Sequence, residues 1–163
     1  MIEVTVSALK ALKTAVQGLS GQQLGSQFAL DVETTGLDDH DRIFGLIIYS
    51  PLRSYYFNFN DLEEEHLPQE SFKLFKPLFK DKSKSWFIHN AIFDLAMLAK
   101  EDLYLKGKVY CTMTLERVLQ NNRMQYSLDA LAKEYEKVIP NMTLKLGDEV
   151  KEYITKHRCF TKW

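Results

Sequence analysis

Apolar residues recur at helical spacing over residues 4–17 (VTVSALKALKTAVQ), where Leu9, Leu12 and Val16 share one face and Ser7 stands as a cap. Glycines at 18, 21 and 25 end that pattern. Three strand-like segments follow, 27-QFALDVE-33, 43-IFGLIIYS-50 and 54-SYYFNFN-60. Their connections, TTGLDDHDR and PLR, are short, so an antiparallel meander is the simplest layout.

Helical spacing returns at 68-PQESFKLFKPLFKD-81, interrupted or bent at Pro77. A short apolar strand, 85-SWFIHN-90, runs into the helical 91-AIFDLAMLAKED-102. A weaker strand, 108-KVYCT-112, precedes helices over 113–122, 127–138 and 144–157. A helix between the fourth and fifth strands lets them run parallel beside the first. The expected fold is α/β: a mixed sheet of three antiparallel and two parallel strands, flanked by helices. Its expected parts are an N-terminal helix over 4–17, a core over 27–140 and a helical tail over 141–163, in one domain.

Composition narrows the classes. At 163 residues, with 45% hydrophobic and 26% charged residues, the chain suits one globular domain. No apolar run approaches the roughly 20 residues of a membrane span. The N-terminus lacks the layout of a signal peptide, so a cytoplasmic setting is expected. Cys111 and Cys159 have no zinc-type spacing and read as incidental thiols. A formal charge of −1 argues against a protein that coats nucleic acid, leaving only local or cation-assisted contact.

One feature breaks the strand pattern. In 28-FALDVETTGL-37, Asp31 and Glu33 project from the same face of a strand, with Val32 on the other. Two anions side by side repel and resist desolvation, whereas a divalent cation favours both ionised forms. Oxygen ligands of this kind suit Mg²⁺ or Mn²⁺ rather than zinc or copper. A lone D-x-E also fits a solvated strand face. In 89-HNAIFDLAML-98, Asn90 and Asp94 stand four residues apart and can share a helix face, while Ile92, Leu95, Ala96 and Leu98 supply buried surface. An acid on a first helical turn also suits the helix dipole.

The two motifs together are far more specific. ALDVETTGL and HNAIFDLAML resemble the first and second motifs of the DnaQ-like (DEDD) 3′–5′ exonucleases, which have a ribonuclease H-like fold. The likeness is greatest to the proofreading exonuclease domain of phage-type family A DNA polymerases. The segment 127-SLDALAKEYEKV-138 resembles a stretch those domains carry after the second motif. The resemblance covers about residues 27–140. It implies Asp31, Glu33 and Asp94 as catalytic metal ligands for two Mg²⁺ or Mn²⁺ ions. It also implies Thr34, Leu37, Asn90 and Phe93 as substrate-binding residues, Leu37 as an apolar wedge against the last base. The implied partners are a single-stranded DNA 3′ end and a DNA polymerase domain or subunit, in a bacterial or phage-infected cell.

The family's third motif, Y-x-x-x-D or H-x-x-x-x-D, is not found after residue 138. Asp148, Glu149 and Glu152 lack the preceding Tyr or His, and Tyr153 with His157 forms Y-x-x-x-H instead. The expectation is a domain truncated before that motif, weak or inactive by itself. Two other readings stay open: a non-catalytic module binding single-stranded DNA or a polymerase, and an RNA exonuclease of the ribonuclease D type. His89 reads as structural. The phenylalanines of 72-FKLFKPLFKDKSKSWF-87 read as core, and its lysines as a solvated face.

Overall fold

A computed structural model describes residues 2–21, 24–36, 38 and 40–136. Six strands form one sheet in the order β1-β4-β3-β2-β5-β6. They are β1 (Ile2–Val6), β2 (Gln27–Thr34), β3 (Ile43–Tyr49), β4 (Arg53–Asn58), β5 (Ser85–Ile88) and β6 (Lys108–Cys111). The meander β2-β3-β4 is antiparallel, and β5 and β6 run parallel beside β2. The mixed sheet expected from the sequence is therefore present.

Its first strand is an addition. Residues 2–6 (IEVTV) pair in parallel with β4, Val4 opposite Tyr55 and Val6 opposite Phe57. The helix expected over 4–17 starts only at Leu9 and continues to Ser20 as α1. Four β-branched residues in that segment favour a pleated surface over a helical turn. The helical face differs as well. Leu12, Ala15, Val16 and Leu19 are buried, whereas Leu9 is exposed. Ala8 occupies the cap position without a side-chain bond, and the Ser7 hydroxyl faces Glu65 instead.

Alternation along the strands sorts the sheet into two faces. Phe28, Leu30 and Val32 of β2 join Leu46 and Ile48 of β3, Tyr55 and Phe57 of β4, and Trp86 and Ile88 of β5 in one core with α1. Phe72, Phe75 and Phe79 complete it, as their spacing predicts. Phe59 stacks on Phe72 at 3.8 Å, Phe57 meets Phe75 edge-on at 4.8 Å, and Phe79 meets Trp86 edge-on at 5.2 Å. Such geometries add to the burial of apolar area. The segment is interrupted near Pro77, one of the two expected forms. A 3-10 helix over Gln69–Phe75 ends and α2 (Lys76–Lys80) begins, with the proline in the first turn where its missing N–H costs nothing.

Lys84 is buried beside this core, and its Nζ donates to the carbonyls of Ser20, Gly21 and Gly25, each at 3.3 Å. The cation thus sits at the C-terminal end of α1, the end that a positive charge stabilises. Gly107 lies against the same residue, and a Cβ there would stand 2.1 Å from the Lys84 carbonyl oxygen.

The chain divides into two compact units, the first ending at Thr112 and the second starting at Met113. The second holds most of α4 (Thr112–Leu119) and all of α5 (Leu128–Glu136). There the buried Glu116 accepts from Tyr135 at 2.7 Å and pairs with Arg123 at 2.7 Å, and Arg123 also pairs with Glu134. The helix expected over 144–157, the acids Asp148, Glu149 and Glu152, and Tyr153 with His157 lie outside the described residues.

Candidate functional site

The strand pattern places Asp31 and Glu33 on the sheet face opposite the core, because Val32 between them is a core residue. Across the β2–β3 ladder, Asp31 faces Ile47 and Glu33 faces Gly45. The ladder slips between Glu33 and Thr34, where Phe44 of β3 is the extra residue, so the irregularity lies directly beside the second acid.

Asp94 reaches this point from the other side. It lies on α3 (Ala91–Lys100), which follows β5, and is only 2% exposed. Its Oδ1 accepts the Val32 backbone N–H at 3.1 Å. The second acidic motif is thereby tied to the peptide that separates the two acids of the first.

The electrostatics follow from that crowding. Burial raises Glu33 to about 7, and the Asp31 charge adds to the rise. Burial also raises Asp94 to about 7, again with help from Asp31, and the Val32 N–H opposes it. Asp31 is exposed, yet the protein mass around its carboxylate strips part of its hydration and lifts it to about 6. Water at that open surface screens Asp31 more than the other two. Three acids raised by burial, two of them also by the Asp31 charge, are a set that a divalent cation would relieve. Their hard oxygen donors fit Mg²⁺ or Mn²⁺. Among the described residues, however, no three His, Cys, Asp or Glu side chains are drawn close enough to hold an ion.

The remaining predicted residues are distributed unevenly. Asn90 adopts a left-handed conformation at the head of α3 (φ 60°, ψ 47°) and is exposed. It caps the helix rather than lying within it, and it is exposed where Asp94 is buried. Burial on α3 also differs, with Ala91, Asp94, Met97 and Leu98 inside and Ile92 83% exposed. Asn tolerates the left-handed region better than most residues, and its carbonyl accepts the Phe93 N–H at 3.0 Å. Phe93 packs partly buried against the core. The Thr34 hydroxyl donates to the Gly36 carbonyl at 2.8 Å. Leu37 lies outside the described residues. The His89 Nδ1 stands 3.0 Å from the Thr112 hydroxyl, a link between the ends of β5 and β6 that suits its structural reading.

One organising residue escaped the sequence reading. Asp41 accepts the Thr35 hydroxyl at 2.7 Å and the Asp38 N–H at 2.6 Å, and both bonds hold its carboxyl below the usual range. Lys100, at the end of α3, donates to the Asp38 and Asp41 carbonyls at 3.0 and 3.3 Å. The turn after Thr34 is thus stapled to the helix that carries Asp94. Gly36 is the signal that could have found it, since a Cβ there would stand 2.6 Å from an Asp41 carboxylate oxygen.

Comparison with known proteins gives this geometry a family. A family model described as 3′–5′ exonuclease, of the DNA polymerase A type, matches residues 4–158. The DNA polymerase DpoZ of Salmonella phage PMBT28 is 34% identical over 115 residues, covering 68% of this chain and 17% of the relative. The chain therefore spans less than a fifth of that polymerase's length. Among solved structures, Escherichia coli RNase D, an exoribonuclease, superposes with a TM-score of 0.67 at 15% identity, over 84% of this chain and 34% of that one. Brucella melitensis NrnC with bound Mg²⁺ gives a TM-score of 0.55 at 20% identity, over 86% of this chain and 63% of that one. These two likenesses show the fold, that of the ribonuclease H-like exonucleases. The sheet, the paired motifs and the family match agree: the chain belongs to the 3′–5′ exonuclease family of the DNA polymerase A type.

Proposed function

We propose that this chain is a proofreading-type exonuclease domain that hydrolyses the terminal phosphodiester bond at a single-stranded DNA 3′ end. The observation that carries the reading is the bond from the Val32 N–H to Asp94, which gathers the acids of both motifs around one strand end. Asp31, Glu33 and Asp94 are the proposed ligands. When bound, two divalent cations supply an activated water and stabilise the leaving 3′ oxygen. Asp31, flanked by the other two acids, is suited to serve both ions. Glu33 would help hold the cation on the attacking-water side, and Asp94, bonded to the Val32 N–H, the other. Thr34, Leu37, Asn90 and Phe93 are the proposed contacts to the terminal nucleotides, with the Asp41 turn holding Thr34 in place. The proposed setting is the cytoplasm of a phage-infected bacterium, with a polymerase domain as partner. No helix among the described residues is long and apolar enough to cross a membrane.

The test is degradation of 3′-labelled single-stranded DNA with Mg²⁺ or Mn²⁺, beside Asp31→Ala. Shortening from the 3′ end that Asp31→Ala abolishes supports the proposal. Binding without Asp31-dependent cleavage would make the chain a non-catalytic binding module. An RNA oligomer of the same sequence extends the test, because contact with the 2′-OH decides between the two polymers. Faster trimming of the RNA would move the assignment toward ribonuclease D.

A further inference from the structure

Gly45 stands directly opposite Glu33 in the β2–β3 ladder. A Cβ at Gly45 would meet the Tyr56 hydroxyl and ring edge, each at 2.8 Å, and the Glu33 Cβ at 3.1 Å. The tip of Tyr56 and the root of Glu33 therefore flank one vacant side-chain position. Tyr56 belongs to β4, where it faces Ile47, the residue that in turn faces Asp31. Directly paired residues project from the same sheet face, so Tyr56 shares the face of both acids. Its ring leans along the strand across Gly45 toward Glu33. Any larger residue at 45 would close that path.

We infer that Tyr56 is a positioning residue for Glu33: across the bare backbone of Gly45, its ring and hydroxyl form the wall that fixes where the Glu33 carboxylate meets a cation. This deepens the metal-site reading above and rests on it. A long acidic side chain on an open sheet face has several rotamers, and a packed aromatic neighbour removes those that swing over β3. Groups that orient a metal ligand without touching the metal are commonly worth about ten- to a hundredfold in metal affinity. Covering a strand glycine with an aromatic ring also stabilises a sheet. The test must therefore separate a local effect on Glu33 from general stability.

Mn²⁺ binding to the full chain, read from the free-ion electron paramagnetic resonance signal, makes that separation. Tyr56→Ala is expected to weaken the Glu33-dependent binding about tenfold, and Tyr56→Phe to restore most of it. Gly45→Ala presses on the end of the ring and, less severely, on the Glu33 Cβ, and is expected to weaken binding in the same direction. In a Glu33→Gln background, Tyr56→Ala should cause no further loss, since its effect passes through Glu33. Unchanged binding in Tyr56→Ala, or an equal loss with and without Glu33, overturns the inference. Should Tyr56→Ala not fold, Tyr56→Leu, which keeps apolar bulk but lacks the ring end, decides: weaker binding supports the inference and unchanged binding overturns it. A wild-type chain with no Asp31-dependent Mn²⁺ binding overturns the metal-site reading itself and this inference with it. Asp31-dependent binding indifferent to Tyr56 and Gly45 overturns the inference alone.

Discussion

The Asp94 carboxylate accepts the backbone N–H of Val32 at 3.1 Å, so a residue of the second motif closes a backbone valence of the first. Both groups are buried, and a buried N–H without a partner costs about 1–3 kcal/mol. At pH 5, where Asp94 is mostly neutral, Asp94→Ala should lower stability by about that amount. Asp94→Asn keeps an acceptor oxygen and should lie close to wild type. Urea unfolding of the three proteins checks the order, and equal loss in both variants would show that the Val32 bond is not what Asp94 contributes.

The strand that carries Asp31 and Glu33 was legible because its alternation is long: Phe28, Leu30 and Val32 mark one face, and the acids fall on the other. β1 was hidden by position, since IEVTV runs into a stronger helical repeat and only its pairing with β4 identifies it. Asp94 was legible as a motif residue, but its burial was not. Helical spacing nominates Ile92 and Ala96 for the core, while Ala91, Asp94, Met97 and Leu98 are the residues that turn inward. Tyr56 was invisible, and Asp41 signalled only by Gly36, for a further reason. Their partners are fixed by a turn and by strand register, neither of which sequence periodicity encodes.

The turn after Thr34 gives a second prediction. Gly36→Ala drives a methyl into the Asp41 carboxylate, and Asp41→Ala removes the acceptor for Thr35 and Asp38. Both variants should free the Asp38 N–H. Amide hydrogen exchange at Asp38 is expected to rise about tenfold, with little change in global stability. The effect should stay within residues 34–42. A change spread evenly over the sheet would contradict a local staple.

Lys84 and Gly107 give a third. Gly107→Ala forces a Cβ against backbone rather than a flexible side-chain tip, so relief requires the β5–β6 end to move. A loss of more than about 3 kcal/mol is expected, within the range of severe core overpacking. Lys84→Met keeps the apolar stem but leaves three carbonyls without their shared donor. It should cost about 1–3 kcal/mol. Thermal melts at neutral pH rank the two, with Gly107→Ala the lower. A Gly107→Ala protein as stable as wild type would refute the steric account.

The acid cluster predicts an unusual pH profile. Asp31, Glu33 and Asp94 are all raised, to about 6, 7 and 7, from ordinary values of 3.8, 4.5 and 3.8. Between about pH 4 and 7 the folded chain thus holds more protons than the unfolded chain, and stability falls as pH rises. The contribution is fully present below pH 4 and lost above the folded values. Asp41, Asp61, Asp81 and Asp102 are lowered instead, so their opposing effect is confined to acid below about pH 4. Without divalent cations, the melting temperature should therefore drop from pH 5 to pH 8. Asp94, the most buried of the three, accounts for on the order of 3 kcal/mol of that change. Asp94→Asn should flatten the slope and melt above wild type at pH 8. Millimolar Mg²⁺ should raise the melting temperature at pH 8 and barely at pH 5, because a cation binds the ionised acids and competes with their protons. Asp31→Ala should remove most of that pH-dependent gain. Equal stabilisation by Mg²⁺ at both pH values would place its binding away from these three acids.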